Sequence, residues 1–371
     1  MSLRQLARTL SVALGLLTAM VHTPLGAQDD KPAEMPAAAA KPKAKVDLTE
    51  LLTPPKADDA KELLAFIRKV RDFESQDPKV LQEFAEKAPP VIKATCERIL
   101  KIEKDPKSDA AKLAKLNLIA LEAEDLYEND DAANRKAVFE SAVKFLTGTG
   151  KPDAETAGLA YLIADILENA TPREEAVTVL PNIAGFLTQS DVEEIKAKGV
   201  ELQGLQRRLE LPGHVMKLTG VTYGGKPFDV AKLKGKVVLV DFWATWCGFC
   251  VSEFPHMKEL YRKYRDKGFE IVGVNLDENK DDLDAFMEKQ KLPWTILYDE
   301  KAGGQHPAAT EYGVTGLPTV MLIGADGKVI TLDARGEALD EHLKNLLGSA
   351  KDSAAPALPE TTDPSPMPPK K

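Results

Sequence analysis

The sequence predicts two domains of different class. An all-helical domain spans residues 57–211, and an α/β domain spans 212–348, with a central mixed sheet flanked by helices on both sides. Three observations carry this reading. The chain has 371 residues, more than one ordinary domain of roughly 100–200 residues accommodates. Between 57 and 211, apolar residues recur at helical spacing. Beyond 212, short aliphatic runs alternate with helical patterns, which implies at least one parallel crossover.

In the helical half, Leu63, Ile67 and Val70 share one helix face, as do Leu113, Leu116 and Ala120, and Val138, Ala142 and Phe145. Asp77-Pro78, Asp105-Pro106, Lys151-Pro152 and Thr171-Pro172 punctuate the run. Each proline disfavours helix at the residue before it and suits the first turn of a new one. Six or seven helices are expected, with no repeat period that names a solenoid and no chemical motif. Cys96 falls in a helical pattern with Val91, Ile92 and Ile99, the setting of a buried structural thiol. A regulatory or intermolecular disulfide is the alternative.

In the α/β half, Val237–Trp243 is a buried-type strand. Phe269–Val274 and Pro318–Ile323 read as two more, and the Asp326-Gly327 turn leads to a fourth over 328–332. Helical patterns cover 249–266, 280–290 and 338–347. The charged stretch 277–289 reads as a solvated helix face. His306, in a loop with Gly303 and Gly304, reads as a solvated histidine.

The ends differ from both domains. Residues 28–56 and 349–371 are rich in alanine, proline and charge, and read as a disordered linker and tail. Residues 1–27 have the layout of a secretory signal: Arg4 and Arg8, an apolar stretch from Leu10 to Met20, and small residues at Gly26 and Ala27. The apolar run is short for a membrane span of about 20 residues, although an uncleaved anchor is the alternative. No cysteine follows it to suggest a lipoprotein. The expected mature protein is exported, periplasmic or otherwise extracytoplasmic, with no stable membrane insertion. A formal net charge of −9 without a basic cluster argues against nucleic-acid binding.

Three cysteines are too few for a disulfide-stapled scaffold. The pair Cys247 and Cys250, in Trp246-Cys247-Gly248-Phe249-Cys250, is redox-active, metal-binding or coincidental. A zinc site needs two further ligands, and only Cys96 and five histidines remain, with no second CxxC, so no metal is expected. Covalent haem attachment needs a histidine where Val251 stands. The strand before Cys247 and the helix after it place Cys247 at a helix N-terminus, which favours the reactive thiolate. Cys250, one turn on, is placed to resolve a mixed disulfide formed on Cys247.

The segment Val240-Asp241-Phe242-Trp243-Ala244-Thr245-Trp246-Cys247-Gly248-Phe249-Cys250 resembles the active-site segment of thioredoxin. Val251-Ser252-Glu253-Phe254-Pro255 extends it to the Cys-x-x-Cys-x-x-Glu-x-Pro pattern of the TlpA/ResA-type proteins, exported thioredoxin-like oxidoreductases related to the redoxins. Gly313-Val314-Thr315-Gly316-Leu317-Pro318-Thr319 resembles the family's cis-proline loop, and the stretch from Gly224 to Val237 its N-terminal hairpin and first long strand. The resemblance covers about residues 212–348 and does not reach the helical domain.

The resemblance implies a thioredoxin fold, and dithiol–disulfide exchange with partner proteins, favouring reduction and fed by an upstream thiol donor. It implies no cofactor beyond the Cys247–Cys250 disulfide. Pro318 would be cis, exposing the Leu317 backbone to an extended substrate segment. Asp241 would be a buried acid with a raised pKa, relaying protons to Cys250 through water. Glu253 would be a second acid one turn beyond Cys250. Trp246, Gly248 and Phe249 would contact substrate, with Trp246 shielding the sulfurs, Trp243 in the core and Pro255 kinking the helix. Two other functions compete. A peroxide reductase would carry Pro-x-x-x-Thr-x-x-Cys, but Thr245 stands only two residues before Cys247. A binding or assembly protein would act through the helical domain.

Overall fold

The computed structural model describes residues 47–169 and 172–348. The expected signal segment, the linker as far as residue 46 and the tail from 349 lie outside them. Contacts divide the chain into two units at Gly199/Val200.

The first unit is helical. Its elements are α1 (Leu48–Leu51), α2 (Ala60–Arg71), α3 (Pro78–Ile102), α4 (Asp109–Asp125), α5 (Ala132–Gly148), α6 (Ala154–Asn169), α7 (Arg173–Leu187) and the start of α8 (Glu193–Leu209). Asp59, Asp77, Ser108 and Asp131 cap α2 to α5 through their side chains, satisfying amides that have no intrahelical partner. Pro78 occupies the first turn of α3 and Pro172 the cap of α7. One core joins Leu63, Ile67 and Val70 of α2 to Ile92, Cys96 and Ile99 of α3. Cys96 is fully enclosed, and burial pushes its thiol up to about 12, the state of an inert core residue.

The composition-based linker extends too far. Asp47 caps α1, and Leu48 and Leu52 are buried in the α2–α3 core. Arg98 then donates to the carbonyls of Pro55, Lys56 and Ala57 at 2.6–2.7 Å. An average over 28–56 is dominated by alanine, proline and lysine, which conceals the few leucines that anchor its end.

The second unit holds a five-stranded sheet. Its strands are β3 (Val237–Trp243), β4 (Phe269–Asn275), β5 (Thr295–Leu297), β6 (Thr319–Ile323) and β7 (Val329–Thr331), in the order β5-β4-β3-β6-β7. β3 pairs parallel with β4 and antiparallel with β6. A hairpin of β1 (Thr219–Val221) and β2 (Pro227–Asp229) meets the β5 edge through Tyr223 N–H to Ile296 O at 2.8 Å and Tyr298 N–H to Val221 O at 3.1 Å. The helices are α9 (Gly248–Tyr264), α10 (Lys280–Gln290), α11 (Pro307–Glu311) and α12 (Gly336–Leu347).

All seven residues of β3 are buried, as a central strand covered on both faces requires. Side chains alternate. Val238, Val240 and Phe242 join a core with Ala308 and Ala309 of α11. Leu239 and Trp243 face the opposite core, with Phe254 and Met257 of α9 and Leu339 and Leu343 of α12. Asp241, between them, therefore lies on the α9–α12 face.

The domain boundary also moves from the expected 211/212. Residues 200–209 of α8 belong to the second unit. Gly204 and Gly313 meet backbone to backbone: a Cβ on Gly204 would stand 2.4 Å from Gly313 N, and one on Gly313 would stand 2.2 Å from Leu205 N. Arg207 Nε donates to Glu311 O at 2.8 Å beside this contact. Helical periodicity ran on to residue 209 without a break, so the sequence offered no sign that the helix changes packing partner along its length.

Candidate active site

The chain leaves β3 at Ala244 and re-enters helix at Gly248. Cys247 is the cap of α9, and the Cys250 amide donates to Cys247 Sγ at 3.2 Å. The two cysteines form a disulfide with Cα atoms 5.3 Å apart. Both are buried in the core that holds Trp243 and Phe254. The aromatic wall continues behind them. Trp243 meets Phe254 edge-on at 5.1 Å between ring centroids, and Phe286 of α10 at 5.3 Å. Trp243 is thus core, and α9 continues through Pro255 to Tyr264.

Phe242 pairs with Thr319, so the residue before Thr319 lies at the end of the sheet from which the cysteine loop departs. That residue is Pro318, and the Leu317–Pro318 peptide is cis. Leu317 and Pro318 are half-buried, with Leu317 packed against the core of the cysteines. Trp246 and Phe249 stand 69% and 76% exposed around the disulfide. The Trp246 ring therefore presents apolar surface to solvent next to the buried cysteines. Gly248, between them in sequence, is exposed.

Asp241 is 3% exposed. Burial, then the negative charge of Glu253, push its carboxyl up to about 7, while the Arg335 guanidinium opposes them. Glu253 is half-buried and paired with Arg335. Arg335 Nε donates to Oε1 at 3.0 Å and to Oε2 at 3.2 Å, and Nη2 donates to Oε1 at 2.5 Å. Arg335 escaped the sequence reading, because 82 residues separate it from its partner.

Asp277 was missed for a different reason. It opens the stretch read as a solvated helix face, yet it is buried. Its carboxylate accepts from Thr245 N–H at 3.0 Å, Thr245 Oγ1 at 2.7 Å and Asn275 Nδ2 at 2.6 Å. It thus ties the loop before Cys247 to the end of β4. The helix itself starts three residues later, at Lys280, so Asp277 belongs to a loop. His306 needs the same correction. It is 2% exposed, and its Nδ1 accepts from Ala308 N–H at the start of α11. The β1 hairpin covers it, with Gly220 close to the ring. It lies in the β5–α11 region.

Among the described residues no His, Cys, Asp and Glu cluster has the makings of a metal site. The family model described as Redoxin matches residues 206–347. Thiol-disulfide oxidoreductase ResA of Bacillus thuringiensis subsp. konkukian is 40% identical over 123 residues, which make up 33% of this chain and 68% of that protein. The chain belongs to the ResA-type thioredoxin-like oxidoreductases. ResA of Geobacillus thermodenitrificans is 37% identical over 125 residues, 33% of this chain and 70% of the relative. Among solved structures, a putative thiol:disulfide interchange protein DsbE from Chlorobium tepidum shares 33% identity over 36% of this chain and 95% of its own, with a TM-score of 0.33. By its likeness to ResA, this chain is a thiol–disulfide oxidoreductase with a thioredoxin fold, preceded by a helical unit that lies outside the Redoxin match.

Proposed function

We propose that the protein reduces disulfides of partner proteins outside the cytosol, with Cys247 as nucleophile and Cys250 as resolving thiol. The observation that carries this is the cap geometry. Cys247 Sγ faces the first-turn amide of α9, where helix-terminal N–H groups favour a thiolate. Cys250 lies beneath it, within disulfide distance. The Cys247 thiolate attacks a substrate disulfide, forming a mixed disulfide and releasing one substrate sulfur. Cys250, losing its proton, attacks Cys247 Sγ. The bond to substrate breaks, and the second substrate sulfur leaves with the electron pair and takes up a proton. Two electrons pass from the dithiol to the substrate, and an upstream thiol donor restores the pair. No organic cofactor takes part in this sequence.

The cis-proline loop supports docking of an extended segment along Leu317, with Trp246, Gly248 and Phe249 as the exposed floor. Asp241 supports proton transfer at Cys250, and Glu253 contributes a second carboxylate nearby. Export rests on the layout of residues 1–27. Among the described residues no helix is long and apolar enough to cross a membrane.

The test is a trap in the native host. Cys250→Ala should accumulate Cys247 in covalent complexes that dithiothreitol dissolves. Cys247→Ser should show none. A Cys250→Ala protein that stays free under growth conditions would contradict the reading.

A further inference from the structure

Arg335 ends the turn before α12, far from the cysteine segment, yet its guanidinium grips Glu253 of α9 through both carboxylate oxygens. One turn along α9, His256 Nε2 meets Asp340 Oδ2 at 2.9 Å, so α9 and α12 are pinned twice along one seam. Beneath that seam lies Asp241. At its level the neighbouring strands present Gly273 on β4 and Val320 on β6, which bring no charge. The charges that act on Asp241 are those of Glu253 and Arg335, and Asp333 acts in turn on the guanidinium. Cys247 and Cys250, whose thiols titrate once the disulfide is reduced, lie in the core on the same face of the sheet.

We propose that Arg335 is a positioning residue of the exchange reaction: by gripping the Glu253 carboxylate through both oxygens, it leaves Asp241 as the carboxylate that takes the Cys250 proton. The proposal rests on the disulfide-exchange reading above. The arginine fork binds the Glu253 carboxylate in a set orientation. It also offsets part of the repulsion that Glu253 exerts on Asp241. The acid beneath the seam then changes protonation near neutral pH, where a thiol can give up its proton to it. In the resolving step, the Asp241 carboxylate takes the proton from the Cys250 thiol. The new thiolate bonds to Cys247 Sγ, and the bond from Cys247 to the substrate breaks. The substrate sulfur leaves with the bonding pair and takes a proton from solvent.

The experiment uses the full chain, reduced and labelled with carbon-13 at the aspartate carboxyl. The Asp241 signal is titrated by NMR in the wild type, Arg335→Gln, Arg335→Lys and Glu253→Gln. The same proteins are assayed for insulin reduction across pH, and thermal unfolding checks their folding. Arg335→Gln should move the Asp241 midpoint up by roughly one unit. The acid limb of the exchange profile should move with it, a loss of about tenfold in rate below the midpoint. Arg335→Lys, which keeps the charge without the fork, should move it less. Glu253→Gln should move it the opposite way. Opposed shifts are a signature that simple loosening of the α9–α12 seam does not produce. An unmoved Asp241 midpoint in folded Arg335→Gln, or the same direction of shift in Arg335→Gln and Glu253→Gln, overturns the proposal. Should Arg335→Gln fail to fold, the direction in Glu253→Gln and Arg335→Lys decides. A wild type that shows the titration but reduces no disulfide would sink the exchange reading instead.

Discussion

The amide of Cys250 points at Cys247 Sγ from 3.2 Å, so the sulfur that starts the helix also accepts from its first turn. In the reduced protein that amide and its neighbours are expected to stabilise negative charge on Cys247 in preference to Cys250. Iodoacetamide at neutral pH is therefore expected to label Cys247 well before Cys250, and Cys247→Ser should reduce exchange to background. Peptide mapping by mass spectrometry over a time course measures the first. Equal labelling rates would contradict the assignment of nucleophile and resolving thiol.

Asp241 links the site to stability. Its carboxyl, ordinarily near 3.8, is pushed up to about 7 in the folded chain. Between those values the folded protein holds a proton that the unfolded chain releases. The stabilisation is complete below about pH 4, declines as pH rises towards 7, and is gone above, with a magnitude on the order of 4 kcal/mol at most. Asp241→Asn cannot ionise, so its stability relative to wild type should increase from pH 4 to pH 7 and then level off. Urea unfolding of the oxidised proteins measures this without interference from the thiols. A difference that stays flat across that range would show that Asp241 is not held in a desolvated site.

Asp277 is a load on the loop before Cys247. Asp277→Ala leaves the Thr245 amide and hydroxyl and the Asn275 amide without their acceptor. A cost of about 2–3 kcal/mol is expected, since bonds to a charged group are the stronger kind. Exchange should slow as the Cys247 loop loses its tether. Denaturant midpoints and turnover of the same variant test both parts, and an unchanged midpoint would mean that the loop is held by other contacts.

Glycine substitutions separate packing from propensity. Gly204→Ala places a methyl group 2.4 Å from a backbone nitrogen and should cost about 1–3 kcal/mol. Gly313→Ala meets backbone at 2.2 Å and must also hold a left-handed φ of 55°, so it should cost more. Gly185, inside α7, has nothing within 4 Å of its added methyl. Gly185→Ala should raise stability by about 0.5–1 kcal/mol. Thermal melts of the three variants give the order directly.

The features that were legible in the sequence are those written locally. The run Val237–Trp243 is apolar because a central strand is covered on both faces, and the cysteines follow at a fixed offset from it. The proline-marked helices were legible for the same reason, since caps and breaks depend on neighbouring residues. What was hidden depends on distant partners. Arg335 looks like any loop arginine until α12 brings it to Glu253. Asp277 and His306 sit among charged and glycine-rich residues whose composition signals solvent, and only the Thr245 loop and the β1 hairpin bury them. The three residues of β5 are too few to produce a periodic signal. Asp241 and Glu253 were both visible as acids, but their unequal surroundings emerge only from the α9–α12 seam.

The meeting of Gly204 with Gly313 has a practical consequence for dissecting the chain. A fragment begun at Pro212, where helical periodicity ends, would lack the backbone that fills the hollow at Gly313, just upstream of Leu317–Pro318. A fragment begun at Val200 retains it. The shorter piece should express with a poorly ordered proline loop and the longer one as a stable redox module, so the useful cut lies inside a helix and not in the loop after it.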